Sequence, residues 1–101
     1  MRILTKGRIE MEITLKSCIN TYRSILLENS NVQEAYEEVL QELLKNAVER
    51  GTSRATIDLG KELSDLEYAQ VLDLLRLDGF IVNDTLQRTI SIDLIESYLR
   101  R

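Results

Sequence analysis

A chain of 101 residues, 44% hydrophobic and 30% charged, has the composition of one domain with one modest core, not of a disordered segment. Its 17 acidic and 13 basic residues leave a net charge of −4, the wrong sign for neutralising a nucleic-acid backbone, and no apolar run approaches the ~18 residues of a membrane span. The absence of histidine removes catalytic triads, histidine-metal sites and the commonest general base, while a single cysteine rules out an intrachain disulfide and fits a reducing cytoplasm.

Residues 1–10 carry three basic side chains (Arg2, Lys6, Arg8) and one acidic, leaving 10 basic and 16 acidic in the remainder. The run Lys6-Gly7-Arg8-Ile9-Glu10 back-translates into a purine-rich ribosome-binding sequence just ahead of Met11. Two readings follow: a leader upstream of a native start at Met11, or an edge strand in which Ile9, Met11 and Ile13 alternate with Glu10 and Glu12. Residues 11–101 form the domain proper.

The first helix is expected to start at Thr14 as N-cap, with Leu15, Cys18, Ile19, Tyr22, Ile25 and Leu26 on one buried face, and Cys18 there an inert thiol. Asn29-Ser30-Asn31 breaks it, and Asn31 with Glu34 offers a capping box for the second helix, about Val32 to Arg50. Its stripe is Val32, Tyr36, Val39, Leu40, Leu43, Ala47 and Val48; Gly51 ends it. The period then changes to two, giving a strand over Arg54–Leu59 and a turn at Gly60-Lys61. Ser64-Asp65-Leu66-Glu67 caps a third helix, ended by Asp78-Gly79, whose apolar residues cover so much of its circumference that two sides need partners. Phe80–Val82 is a short strand, Asn83–Gln87 a hairpin loop, Arg88–Ile92 the return strand, and Asp93 caps a last short helix. The fold class is α+β: helices on a small three-stranded mixed sheet of order 1-3-2, the outer strands parallel and joined by a right-handed helical crossover.

The pieces Ile13-Thr14, Ala47-Val48-Glu49-Arg50-Gly51-Thr52, Ile57-Asp58-Leu59, Leu63-Ser64, Leu75, Gly79-Phe80 with Val82, and Ile90-Ser91-Ile92 resemble, in that order, an architecture common among small phage and prophage proteins. The chain departs from it by continuing into the helix after Asp93. The resemblance implies a virus-like genomic setting and no activity, since each piece is a packing or capping feature.

Chemistry-bearing motifs are sparse. The glycines are isolated, there is no paired cysteine and no Asp-x-Asp calcium loop, so no cofactor, metal or catalytic residue is expected. Asp73 and Asp78 read as solvated, and Tyr22, Tyr36 and Tyr68 as core-edge residues. The expected function is non-catalytic: a small acidic cytoplasmic protein, phage- or prophage-encoded, that binds and inhibits or sequesters a component of its bacterial host. Its partner-binding face is Glu34, Glu37, Glu38 and Glu42, suited to a basic groove. Two alternatives come from other classes. A winged-helix regulator would read DNA with the third helix, although Asp65, Glu67, Asp73 and Asp78 oppose a phosphate backbone. An oligomeric trap for a nucleotide-like anion would gather Arg23, Arg54, Arg76 and Arg88. The wide third helix and the short last one also predict a homodimer, with Val71, Leu74, Leu94, Ile95, Tyr98 and Leu99 at its interface.

Overall fold

A computed structural model of the chain describes residues 7–59 and 62–100, with side chains from residue 14 onward except at residue 86. Residues 1–6 of the expected leader and the turn at Gly60-Lys61 lie outside the described residues. The elements run α1 (Gly7–Glu28), α2 (Ser30–Lys45), β1 (Arg54–Asp58), α3 (Asp65–Leu77), β2 (Val82–Asp84), β3 (Thr89–Asp93) and α4 (Leu94–Leu99). None of the described helices is long and apolar enough to cross a membrane.

The sheet has the order β1-β3-β2, with β3 in the middle. Ala55 faces Ile92 and Ile57 faces Ile90 across one ladder; Val82 faces Ile92 across the other. β1 and β2 therefore point the same way, joined through α3, as the expected crossover requires. They never touch, so both ladders are antiparallel and the expected term "mixed" does not describe the pairing.

One face of the sheet supplies Ala55, Ile57, Val82, Ile90 and Ile92 to the core, and α2 lays Val32, Ala35, Val39 and Leu43 over it. α3 buries Val71, Leu72, Leu74 and Leu75, two adjacent pairs one turn apart, because it is covered on both sides: by α1 and α2 on one, by the sheet on the other. Each such side chain contributes about 1.5–3 kcal/mol of burial. The second cover for α3 thus comes from its own chain.

Several boundaries differ from expectation. α1 starts at Gly7, so residues 9–13 are helical and not an edge strand, and Thr14 lies inside the helix and does not cap it. Asn29, not Asn31, caps α2, its side-chain oxygen accepting the N–H groups of Asn31 (2.9 Å) and Val32 (3.3 Å). α2 continues into a wide π turn over Asn46–Arg50, where Asn46 points inward and Ala47 and Val48 point out. The Asn46 carbonyl accepts from both Gly51 and Thr52, and Gly51 takes the left-handed conformation (φ 64°) that ends the helix. The second strand begins at Val82, after Phe80 and Ile81, and Asn83 and Asp84 belong to it, not to the hairpin loop.

Candidate partner-binding surfaces

The Asn29 cap sets the rotation of α2. With Val32 and Ala35 turned inward, Glu34 and Glu38 come to its edge beside the end of β1. There they face Asp58 and Glu62 across a cleft of about 470 Å3, which Asn31, Ala35, Leu59 and Leu63 also line. Carboxylates thus stand around a partly apolar surface, a shape that accepts an ammonium or guanidinium on its aliphatic stem. Among the described residues no group of three or more acidic, cysteine or histidine side chains is placed to hold a metal ion. The site offers spread negative charge, not a coordination sphere.

Of the four expected binding residues, Glu34 and Glu38 line this cleft. Glu37 lies outside it on the exposed surface, accepting from Gln33 Nε2 (3.4 Å), and Glu42 is half-buried farther along α2. Asp58 and Glu62 were not anticipated. They lie twenty or more residues from Glu38, and only the packing of α2 on β1 unites them.

The acidic side chains of α3 are used differently. The Tyr22 hydroxyl donates to Asp73 (2.6 Å), and this carboxylate contact, with burial and charge repulsion, raises the tyrosine pKa. Tyr36 donates to Asp78, which also takes Arg23 Nε at 3.1 Å and its terminal nitrogen at 3.0 Å. Burial pushes the Asp78 carboxyl up, but the Arg23 and Tyr36 hydrogen bonds and the Arg23 charge outweigh it and hold it below its ordinary value. Glu67 is held low first by the Ser64 backbone N–H of the capping box, then by the amides of Asn29 and Asn31. Tyr68 is pushed up to about 12 by burial, reinforced by the Asp84 carboxylate it donates to. Asp73 and Asp78 are therefore not simply solvated: they tie α1 and α2 to α3.

Of the two alternative functions, the winged helix would use α3 and the anion trap would gather arginines from two chains. A single described helix, α3, separates β1 from β2, where a helix-turn-helix needs two. Arg23 pairs with Asp78, Arg54 with Asp93 (3.4 Å) and Arg88 with Asp65, three separate places on one chain.

Among the residues expected at a dimer interface, Val71 and Leu74 are fully buried in their own core and cannot serve. Leu94 is half-buried against that core, whereas Ile95, Tyr98 and Leu99 are exposed. α4 is docked by polar contacts: Ser97 Oγ accepts the Ile81 N–H (2.8 Å), and the Ser53 carbonyl accepts from Leu94 N–H (2.8 Å). On α1 only Leu26 of the expected buried stripe is buried; Leu15, Cys18, Ile19 and Ile25 are exposed, and Tyr22 is partly exposed at the edge where it meets Asp73.

Comparison with protein-family models, curated proteins and solved structures finds no match to this chain.

Proposed function

We propose that this is a non-catalytic binding protein whose acidic cleft receives a basic segment of another protein. The observation that carries this reading is the meeting of Glu34 and Glu38 from α2 with Asp58 and Glu62 from the β1–α3 connection around one cleft. Charge complementarity of this kind speeds encounter and selects against acidic surfaces. In the phage-type setting that the chain's architecture resembles, the partner is a component of a bacterial host, inhibited or sequestered in the cytoplasm by occupation of its own basic surface.

The test is binding of a fluorescent Arg/Lys-rich peptide at low salt, compared between the natural chain and a Glu34→Lys, Glu38→Lys variant. The reading expects affinity to fall at least ~10-fold in the variant and to fall with added salt. Equal affinity of the two proteins removes the cleft from consideration. Charge reversal at Glu49, exposed on the π turn and outside the cleft, serves as the control.

A further inference from the structure

Resting on the acidic cleft as the binding site, we propose that the basic segment enters it as an extended strand, paired to the open edge of β1 through the backbone of Thr56. The ladder fixes which groups are open. Leu94 N–H donates to the Ser53 carbonyl (2.8 Å) and Leu59 N–H to the Arg88 carbonyl (3.0 Å), one at each end of β1. Both pairs are in register with Ala55–Ile92 and Ile57–Ile90, and hydrogen-bonded pairs alternate along an antiparallel ladder. Residues 53, 55, 57 and 59 therefore bond toward β3, while the N–H and C=O groups of Arg54, Thr56 and Asp58 point away from it.

Arg54 is already occupied: its N–H donates to Thr52 Oγ1 (3.3 Å), and its carbonyl accepts from Asn46 Nδ2 (3.5 Å) at the end of α2. Thr56 is exposed, and its N–H and C=O have no hydrogen-bond partner among the described residues. α2 follows the same side of the strand. Asn46 meets Arg54 at one end, and Glu38 lines the cleft with Asp58 at the other. The eight helical steps between Asn46 and Glu38 rise about 12 Å and the four strand steps from Arg54 to Asp58 advance about 13 Å, so helix and strand run side by side. No residue lining the cleft comes from β3 or from the hairpin before it, so the cleft opens on the side to which Thr56 turns its unpaired groups. Asp58 lines that cleft one pleat, about 7 Å, beyond Thr56.

An edge strand that exposes both a donor and an acceptor is a template for another chain, and the charge beside it selects which chain. Antiparallel addition continues the sheet's own pattern: one residue of the incoming segment lies opposite Thr56 and exchanges both N–H···O bonds with it. The residues before it pass Asp58 and run into the cleft, toward Glu34, Glu38 and Glu62. The segment that fits is extended, with two or three Arg or Lys immediately N-terminal to an uncharged residue. At the far end of the edge the Arg54 side chain, 68% exposed, repels further positive charge, so the basic residues belong at one end only. A basic helix keeps its backbone groups for itself and would leave Thr56 unpaired.

The probe is a fluorescent acetyl-Arg-Lys-Arg-Val-Thr-Val peptide at low salt, with two analogues N-methylated at the first valine or at the adjacent threonine. Strand pairing turns alternate N–H groups toward β1, so one analogue should bind at least ~10-fold more weakly and the other within about 2-fold of the parent. Amide hydrogen exchange at Thr56 should slow at least ~10-fold in the complex. Thr56→Pro, which removes that N–H from an edge position, should weaken the parent peptide at least ~10-fold with unchanged circular dichroism. Should this variant unfold, the analogues and the exchange measurement, both made on the natural chain, decide alone. Analogues that bind alike, with Glu34→Lys, Glu38→Lys still abolishing binding, overturn strand addition and leave the cleft standing. A parent peptide that does not bind, or binds the natural and charge-reversed proteins equally, overturns the cleft and strand addition together.

Discussion

Arg23 on α1 and Asp78 at the C-terminal cap of α3 form a two-pronged ion pair, 3.1 and 3.0 Å, although 55 residues separate them. Tyr36 of α2 donates to the same carboxylate, so one acidic side chain joins three helices. Because folding lowers the Asp78 pKa, the stability this group contributes is present above its unfolded value, near 4, and disappears as pH falls through the lower folded value. Asp78→Asn should therefore cost about 1 kcal/mol at pH 7, with the solvent exposure of Arg23 already discounted, and should flatten the loss of stability below about pH 4. Urea unfolding at pH 3 and pH 7 measures both. A variant with an unchanged acid limb would show that Asp78 is not the group that titrates.

The hairpin between β2 and β3 is built on Gln87 and Arg88 with φ of 64° and 62°, the left-handed region that favours glycine. Glycine and asparagine are the usual occupants of that region. Arg88 is held in place by its hydrogen bonds to the Leu63 carbonyl and Asp65 and by its position over the Tyr68 ring, 5.3 Å from the centroid. Gln87 is exposed. Gln87→Gly should raise stability by about 0.5–1 kcal/mol, and Gln87→Val should lower it by about 1 kcal/mol or more. The midpoint of urea unfolding, at unchanged slope, reports the difference.

The two leucines of α4 should behave oppositely. Leu94 packs against the core, so Leu94→Asp places a charge where it is half-buried and should cost more than about 2 kcal/mol. Leu99 is 72% exposed, and Leu99→Asp should change stability by no more than about 0.5 kcal/mol. Thermal unfolding of the two single variants separates them.

Much of this architecture was legible because it is written in local patterns. The Ser64–Glu67 capping box, the Asp93 cap, the left-handed Gly51 and the inward alternation of Ala55, Ile57, Ile90 and Ile92 each follow from residues a few positions apart. The strand order followed from joining those elements by a right-handed crossover. What the sequence did not reveal depends on contacts between distant segments. The apolar breadth of α3 looked like a subunit interface, yet α1, α2 and the sheet cover it within one chain. Asp73 and Asp78 could not be told from solvated carboxylates until Tyr22, Arg23 and Tyr36 were brought to them. In the cleft, Glu34 and Glu38 could be read as one acidic helix face, while Asp58 and Glu62 have no sequence signal linking them to it. Asn46 is a local miss: a buried amide whose oxygen lacks a hydrogen-bond partner among the described residues, at a position where the stripe pattern favoured Ala47.

The central strand of the sheet follows both of its neighbours in the chain. Neither edge strand has a ladder until β3 exists, since β1 and β2 bond only to it, and closing the sheet on β1 pairs Ile92 with Ala55, 37 positions back. During vectorial synthesis the helical half is free to assemble as it emerges, whereas β1 leaves the ribosome with its backbone donors and acceptors unsatisfied by any strand. Sheet closure is consequently a late, long-loop event. A nascent chain arrested before Thr89 holds three of its helices and none of its β-structure.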